Sequence, residues 1–388
     1  MVPSGWIASQ VGDIATFSSG GTPSKQNMTF WNGEEPWISG KDLKTHYLRS
    51  SIDKLSLEGF QAAKIAPKGS SLILVRGMTL LKDFPVGYAM RDLAFNQDIK
   101  ALVPCNNLDG LFLSFLLSGH KHFIRQLVST AGHGTGRLDT ESIKEYPVNI
   151  PPLPEQRKIA LILSTWDKAI STTERLIDNS KQQKKSLMQK LLTGKKRLLD
   201  ESGKLFERDW SPKHLSEIAK IKKGKALSSK DLEVGEFPVI AGGKTSPYKH
   251  SKYTHKNVIT ASASGAYAGF IAYHKQKIWA SDCSVIEEKE CSDIQFIYQY
   301  LLLNQTKIYS FQSGGAQPHI YPKDIDALKV NVPDIKEQQK IATVLINADK
   351  EIELLAQQLA DLKQEKKALM QQLLTGKRRV KLDEKEVA

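Results

Sequence analysis

The sequence lacks most of what would mark an exported protein, a membrane protein or a self-sufficient enzyme. It has three cysteines, Cys105, Cys283 and Cys291, in no metal or redox spacing. So sparse and odd a set excludes a disulfide framework and fits reduced thiols in the cytoplasm. No run of 18 apolar residues occurs, so no membrane span is expected. The segment from Met1 to Asp13 has neither the basic nor the apolar stretch of a signal peptide.

Intact catalytic motifs are also missing. Gly243-Lys244-Thr245 looks like the tail of a phosphate-binding loop, but Pro238 stands where that loop needs its first glycine, and Pro247 spoils the following helix. Asn149-Ile150-Pro151-Pro152 lacks the aromatic of an adenine methyltransferase motif. Asp98-Ile99-Lys100 has nuclease-like spacing without an upstream acidic partner. His120 and His122 stand two apart in a helical stretch and cannot share a face. The glycine-rich run Ala131 to Arg137 reads as a loop. No metal site and no cofactor site is expected in this chain.

What is present is charge and repetition. The formal net charge is +13 over 388 residues, which points to a polyanionic partner. Residues 155–197 return at 337–379 without a gap, and 22 of the 43 positions are identical, where unrelated segments would share roughly two or three. Steps of four and three from Ile159 reach Leu163, Trp166, Ile170, Thr173, Ile177, Ser180, Lys184, Leu187 and Leu191. The second copy gives Ile341, Leu345, Ala348, Ile352, Leu355, Leu359, Leu362, Lys366, Leu369 and Leu373. That spacing is a coiled-coil seam. Proline precedes each helix and Leu-Thr-Gly follows it, at Leu192 to Gly194 and Leu374 to Gly376. Connectivity makes the pair antiparallel, and about 38 residues at ~1.5 Å each span roughly 57 Å.

The expected fold class is α+β: two mixed α/β domains separated by two long antiparallel helices, with an internal pseudo-two-fold repeat. The boundaries are a first domain at 1–150, a helix at 151–197, a second domain at 198–333, a helix at 334–380 and a polar tail at 381–388. The domains repeat more loosely than the helices. Trp6 with Asp13-Ile14-Ala15 matches Trp210 with Glu217-Ile218-Ala219, and Gly132 to Arg137 matches Gly314 to His319. Strands are expected at Ser71 to Val75, Val86 to Met90, Ile99 to Val103, Val258 to Ser262, Gly269 to Tyr273 and Ile278 to Ser281. Helices are expected at Leu108 to Gln126 and Ile294 to Leu303.

For a DNA partner, Lys and Arg at phosphates supply affinity and polar side chains at base edges supply choice. The candidates in the first domain are Ser19, Thr22, Lys25, Ser39, Lys41, Arg76 and Arg137. In the second they are Lys223, Lys225, Lys244, Lys249, Ser262, Ser264, Tyr267, Gln317 and His319. Lys195 to Arg197 and Lys377 to Arg379 follow the helices, where they suit either phosphates or the helix C-terminal dipoles.

With these residues in view, the chain resembles the specificity subunit of type I restriction–modification systems. The likeness is carried by Leu153-Pro-Glu-Gln-Arg-Lys-Ile-Ala, Pro333-Asp-Ile-Lys-Glu-Gln-Gln-Lys-Ile-Ala, the Leu-Leu-Thr-Gly-Lys helix ends, Gly265-Ala-Tyr-Ala-Gly and Ile278-Trp-Ala-Ser-Asp. It implies a non-catalytic subunit whose two target recognition domains each read one half of a bipartite double-stranded DNA site, with the helices as a ruler. It implies two modification subunits that bring S-adenosylmethionine, and restriction subunits, joined through them, that bring ATP and Mg²⁺. A degenerate methyltransferase or nuclease, and a coiled-coil adaptor without a DNA role, stand as alternatives.

Overall fold

A computed structural model describes residues 2–131, 134–244, 247–315 and 317–382. Gly132, His133 and Thr245 of the glycine-rich readings, and 383–388 of the tail, lie outside the described residues. The chain divides into two compact units, residues 1–172 with 359–388, and residues 173–358.

In unit 1 a five-stranded sheet runs in the order Ala15–Ser19, Ile99–Pro104, Ser71–Leu74, Val86–Ala89, Tyr47–Leu48. A second sheet pairs Trp31–Ile38 in parallel with Leu93–Phe95. The helix Gly110–Gly119 buries Phe112, Leu113, Phe115, Leu116 and Leu117. Unit 2 has the sheet Ala219–Lys223, Cys283–Glu288, Val258–Ser262, Ile271–His274, and a parallel pair of Phe237–Ile240 with Trp279–Ala280. Its helix is Ile294–Leu303.

Several expected elements are shorter than their apolar patterns, two of them for a clear local reason. The helix expected from Leu108 to Gln126 breaks at His120, whose ψ of 2° leaves the helical region before Lys121–Arg125 resumes. The strand expected from Gly269 starts at Ile271, because Gly269 at φ 87° turns the chain and donates its N–H to Ser262 O at 2.7 Å.

The long helices are Leu153–Leu191 and Ile335–Leu373, each 39 residues. Both end sooner than the repeat of sequence does. Gly194 and Gly376 take positive φ, 73° and 68°, and the N–H groups of Lys196 and Arg378 fold back to Lys190 O and Gln372 O. This satisfies the last carbonyls and stops the helix. The basic triplets therefore lie outside the helices.

Each unit contains a stretch of both helices. In unit 1 the Lys366 ammonium meets Asp167 at 2.5 Å. In unit 2 Lys184 meets Asp349 at 2.6 Å, and Ser180 donates to Glu351 at 3.3 Å. Residue numbers rise along one helix as they fall along the other, in unit 2 from these two pairs and in unit 1 with the further pair of Glu155 and Arg379 just past the second helix, so the stretches are antiparallel within each unit. Of the seam residues, Ile159, Leu163, Ile177, Leu191, Ile341, Leu345 and Leu373 are buried. Trp166, Ile170, Leu187, Ile352, Leu355, Leu359, Leu362 and Leu369 are half-buried. Lys184 and Lys366, the charged seam positions, are the two paired lysines. No described helix is long and apolar enough to cross a membrane.

Candidate nucleic-acid interface

The site depends on how each domain is fixed to its helices. The third and fourth residues of the first helix are Glu155 and Gln156, and their matches in the second are Glu337 and Gln338. All four are buried. Glu155 accepts two hydrogen bonds from Arg379, both at 2.7 Å, and one from Trp6 Nε1 at 3.2 Å. Glu337 accepts two from Arg197, both at 2.7 Å, and one from Trp210 Nε1 at 3.2 Å. Each guanidinium lies 5.9 Å from its tryptophan ring. A bidentate guanidinium and an indole N–H together compensate a carboxylate that burial alone would penalise. Glu155 also raises the pKa of the Arg379 guanidinium. Gln156 and Gln338 receive the backbone N–H of Asp109 and Asp293, residues that themselves cap the helices Gly110–Gly119 and Ile294–Leu303. Arg197 and Arg379 thus hold a domain to its helix, each spending its guanidinium on a buried carboxylate.

The loops at the far ends of the strands come together in both units. In unit 1 Gly20 follows the first long strand so closely that a Cβ there would stand 2.2 Å from Asn96 O. Its match, Gly224, would stand 2.4 Å from Ser281 O. Trp37 Nε1 donates to Gly21 O at 3.0 Å, and Trp279 Nε1 donates to the matching Lys225 O at 2.9 Å. The two tryptophans sit on opposite members of the parallel strand pair, yet hold the same carbonyl.

Several candidates converge on this end. Arg76 and Arg137 are exposed and directly opposite each other on paired strands. Ser264 and His319 form the matching bridge in unit 2. Ser19 accepts from the Lys100 ammonium at 2.5 Å, and Thr22 donates to Gln97 at 2.6 Å. Lys41 is exposed, 3.9 Å from Asp53. In unit 2 Lys223 lies over the Tyr321 ring, Lys225 over Trp279, and Lys244 over Tyr267 and Phe270, at 5.0–5.9 Å. Gln317 is exposed.

Four candidates are placed differently. Ser39 is buried, with its N–H and hydroxyl both bonded to Asp42 at 2.9 Å. Ser262 is 3% exposed, and its oxygen receives the Gly243 N–H at 3.2 Å; it ties down a loop and is closed to a base edge. Lys249 pairs with Pro238, while the other end of that strand, Ile240, reaches Ser281. Lys25 is exposed in a turn.

Gln97 and Asp282 are exposed at the handover between the two sheets of each unit. Sequence reasoning makes neither a contact candidate: Gln97 belongs to no motif, and Asp282 serves only as the end of Ile278-Trp-Ala-Ser-Asp, with a negative charge that does not suit phosphate. Asp98 of Asp98-Ile99-Lys100 closes this same handover, and Ile99 and Lys100 open the next strand. Among the described residues no cluster of His, Cys, Asp and Glu could hold a metal.

The family model described as "Type I restriction modification DNA specificity domain" matches residues 3–180 and 207–364. The specificity subunit of the type I restriction enzyme EcoR124I/EcoR124II of Escherichia coli is 30% identical over 160 residues, 40% of each protein. The MjaVIII specificity subunit of Methanocaldococcus jannaschii is 25% identical, covering 98% of this chain and 94% of that one. Among solved structures, the S subunit of a type I restriction–modification system from M. genitalium superposes with a TM-score of 0.67 at 20% identity, over 96% of this chain and 99% of that one.

Proposed function

The chain belongs to the type I restriction–modification DNA specificity family, and from that premise we propose that each unit reads one half of a bipartite double-stranded DNA target. The observation that carries this reading is the shared frame with unlike tips. Matching strand positions present Arg76 and Arg137 in unit 1 but Ser264 and His319 in unit 2. Two arginines suit guanine edges or phosphates; serine and histidine do not make the same bidentate contacts. Two such faces would select different base sequences.

The chain acts with other subunits, two modification subunits in this reading. Those subunits supply S-adenosylmethionine and the methyl transfer. Restriction subunits, joined through them, supply ATP, Mg²⁺ and cleavage. This chain contributes recognition and carries no catalysis of its own, in the cytoplasm where its DNA is.

The test is selection from a random duplex pool by the chain co-expressed with its modification subunit. Two short motifs separated by a fixed unread gap are expected. Retention without any motif, fading as salt rises, would reduce the chain to phosphate contact and favour an adaptor role.

A further inference from the structure

In unit 2 the chain passes from Trp279–Ala280 to Cys283–Glu288 through Ser281 and Asp282. Both residues of this handover are fixed by backbone. Ser281 N donates to Ile240 O at 2.7 Å, and Asp282 O accepts from Ala263 N at 3.1 Å. The Asp282 side chain is exposed. The Ser264 hydroxyl donates to its Oδ2, and a Cβ on Gly242 would lie 3.4 Å from the same oxygen. Among the described residues no partner is recorded for Oδ1, and no lysine or arginine forms an ion pair with this carboxylate. It lines a cleft of about 370 Å³ with Lys223, Ser281, His319 and Tyr321.

A carboxylate on such a face is chemically restrictive. It repels phosphate and cannot donate a hydrogen bond, so in the major groove its direct use against a base is as an acceptor. It can accept from an exocyclic amino group in the major groove, cytosine N4 or adenine N6. Ser264 spends its proton on Oδ2, which restrains the carboxylate and leaves Oδ1 as an acceptor. His319, bridged to Ser264, flanks it.

We propose that Asp282 is a specificity-determining residue of unit 2, accepting a hydrogen bond from the exocyclic amino group of one base in its half-site. The proposal rests on the DNA-reading function above. It assigns one named position within that function, and it predicts that this position is cytosine or adenine on the contacted strand.

The experiment compares the full chain with its Asp282→Asn variant, each co-expressed with the modification subunit, in selection from a random duplex pool. The selected base identifies cytosine or adenine directly. In the variant, discrimination at a single position of one half-site should fall about 10- to 100-fold, because an amide offers a donor as well as an acceptor. Every other position should keep its preference, and binding to unrelated duplex should not weaken, since a negative charge is lost. Ser264→Ala, which frees the carboxylate to turn, should relax the same position less. An unchanged preference in Asp282→Asn, or uniform weakening at all positions, overturns the proposal alone. A wild-type chain that enriches no motif overturns the DNA-reading function and the proposal with it.

Discussion

The two units are most alike where they grip their helices and least alike where their strands end. At the grip, Trp6, Glu155, Gln156 and Arg379 in unit 1 stand in the places of Trp210, Glu337, Gln338 and Arg197 in unit 2, with hydrogen-bond lengths that agree within 0.3 Å. At the tips, paired arginines face serine and histidine, and the handover between sheets is one residue longer in unit 1, Asn96-Gln97-Asp98 against Ser281-Asp282. The lesson concerns what each interaction tolerates. A buried carboxylate with three donors has one good solution, so the grip is the same twice. An exposed loop end has many, so the tips are free to differ.

The grip should show the largest mutational effect. Arg197→Ala leaves Glu337 buried without its cation, and the expected loss is about 3–5 kcal/mol of unfolding free energy. Arg379→Ala should cost less, because its side chain is 43% exposed against 23% for Arg197 and water can partly replace it. Denaturant titration of both variants measures the difference. Equal losses would break the argument from burial.

Acid should weaken both units, for a reason that also separates them. Burial pulls His46 down to about 4, with Asp167 opposing and Lys366 assisting. Burial alone pulls His274 down to about 4. Each ring is neutral in the fold, while the unfolded chain takes up a proton near 6.5. Stability is therefore complete above pH 6.5 and declines as pH falls towards 4, by up to about 3 kcal/mol for each histidine. Added salt should move the His46 titration and leave that of His274 in place, since only His46 has charged neighbours in its shift. Imidazole NMR titration at two salt concentrations reads both.

The tips should respond in binding, with stability unchanged. Replacing Arg76 by Ser and Arg137 by His gives unit 1 the pair found in unit 2. If both arginines meet phosphates, the slope of log affinity against log salt should fall by about 2. If either reads a guanine, the unit 1 motif should also change while the other half-site stays as it was. A change in both half-sites would break the assignment of one reader to each unit.

Much of this frame was legible in the sequence. The long helices announced themselves because the same 43 residues occur twice, and the strand Val258–Ser262 because it is an unbroken small and apolar run. The grip was not legible. Glu155 and Gln156 looked like the ordinary start of a helix, and their partners lie 149, 224 and 47 residues away. Nor could residue type alone separate Ser262 from Ser264. One closes a buried strand and the other, two residues on, stands beside the exposed carboxylate. Arg76 and Arg137 were both candidates, but only strand pairing across the unit makes them neighbours.

The smallest expected effect tests the subtlest equivalence between the units. Trp37 and Trp279 hang from opposite strands of their parallel pairs and donate to matching carbonyls, Gly21 O and Lys225 O. If the loop needs that bond in both units, Trp37→Phe and Trp279→Phe should each cost about 1 kcal/mol, the usual net worth of one neutral hydrogen bond. Trp37 also packs edge-on against Trp31, with centroids 5.2 Å apart, and phenylalanine keeps most of that contact. Similar small losses in the two variants, with the duplex selection relaxed only in the half-site of the mutated unit, would mean that the strand supplying the indole is interchangeable while the loop it holds is not. A loss confined to one unit would make the matched carbonyls a coincidence of two independent packings.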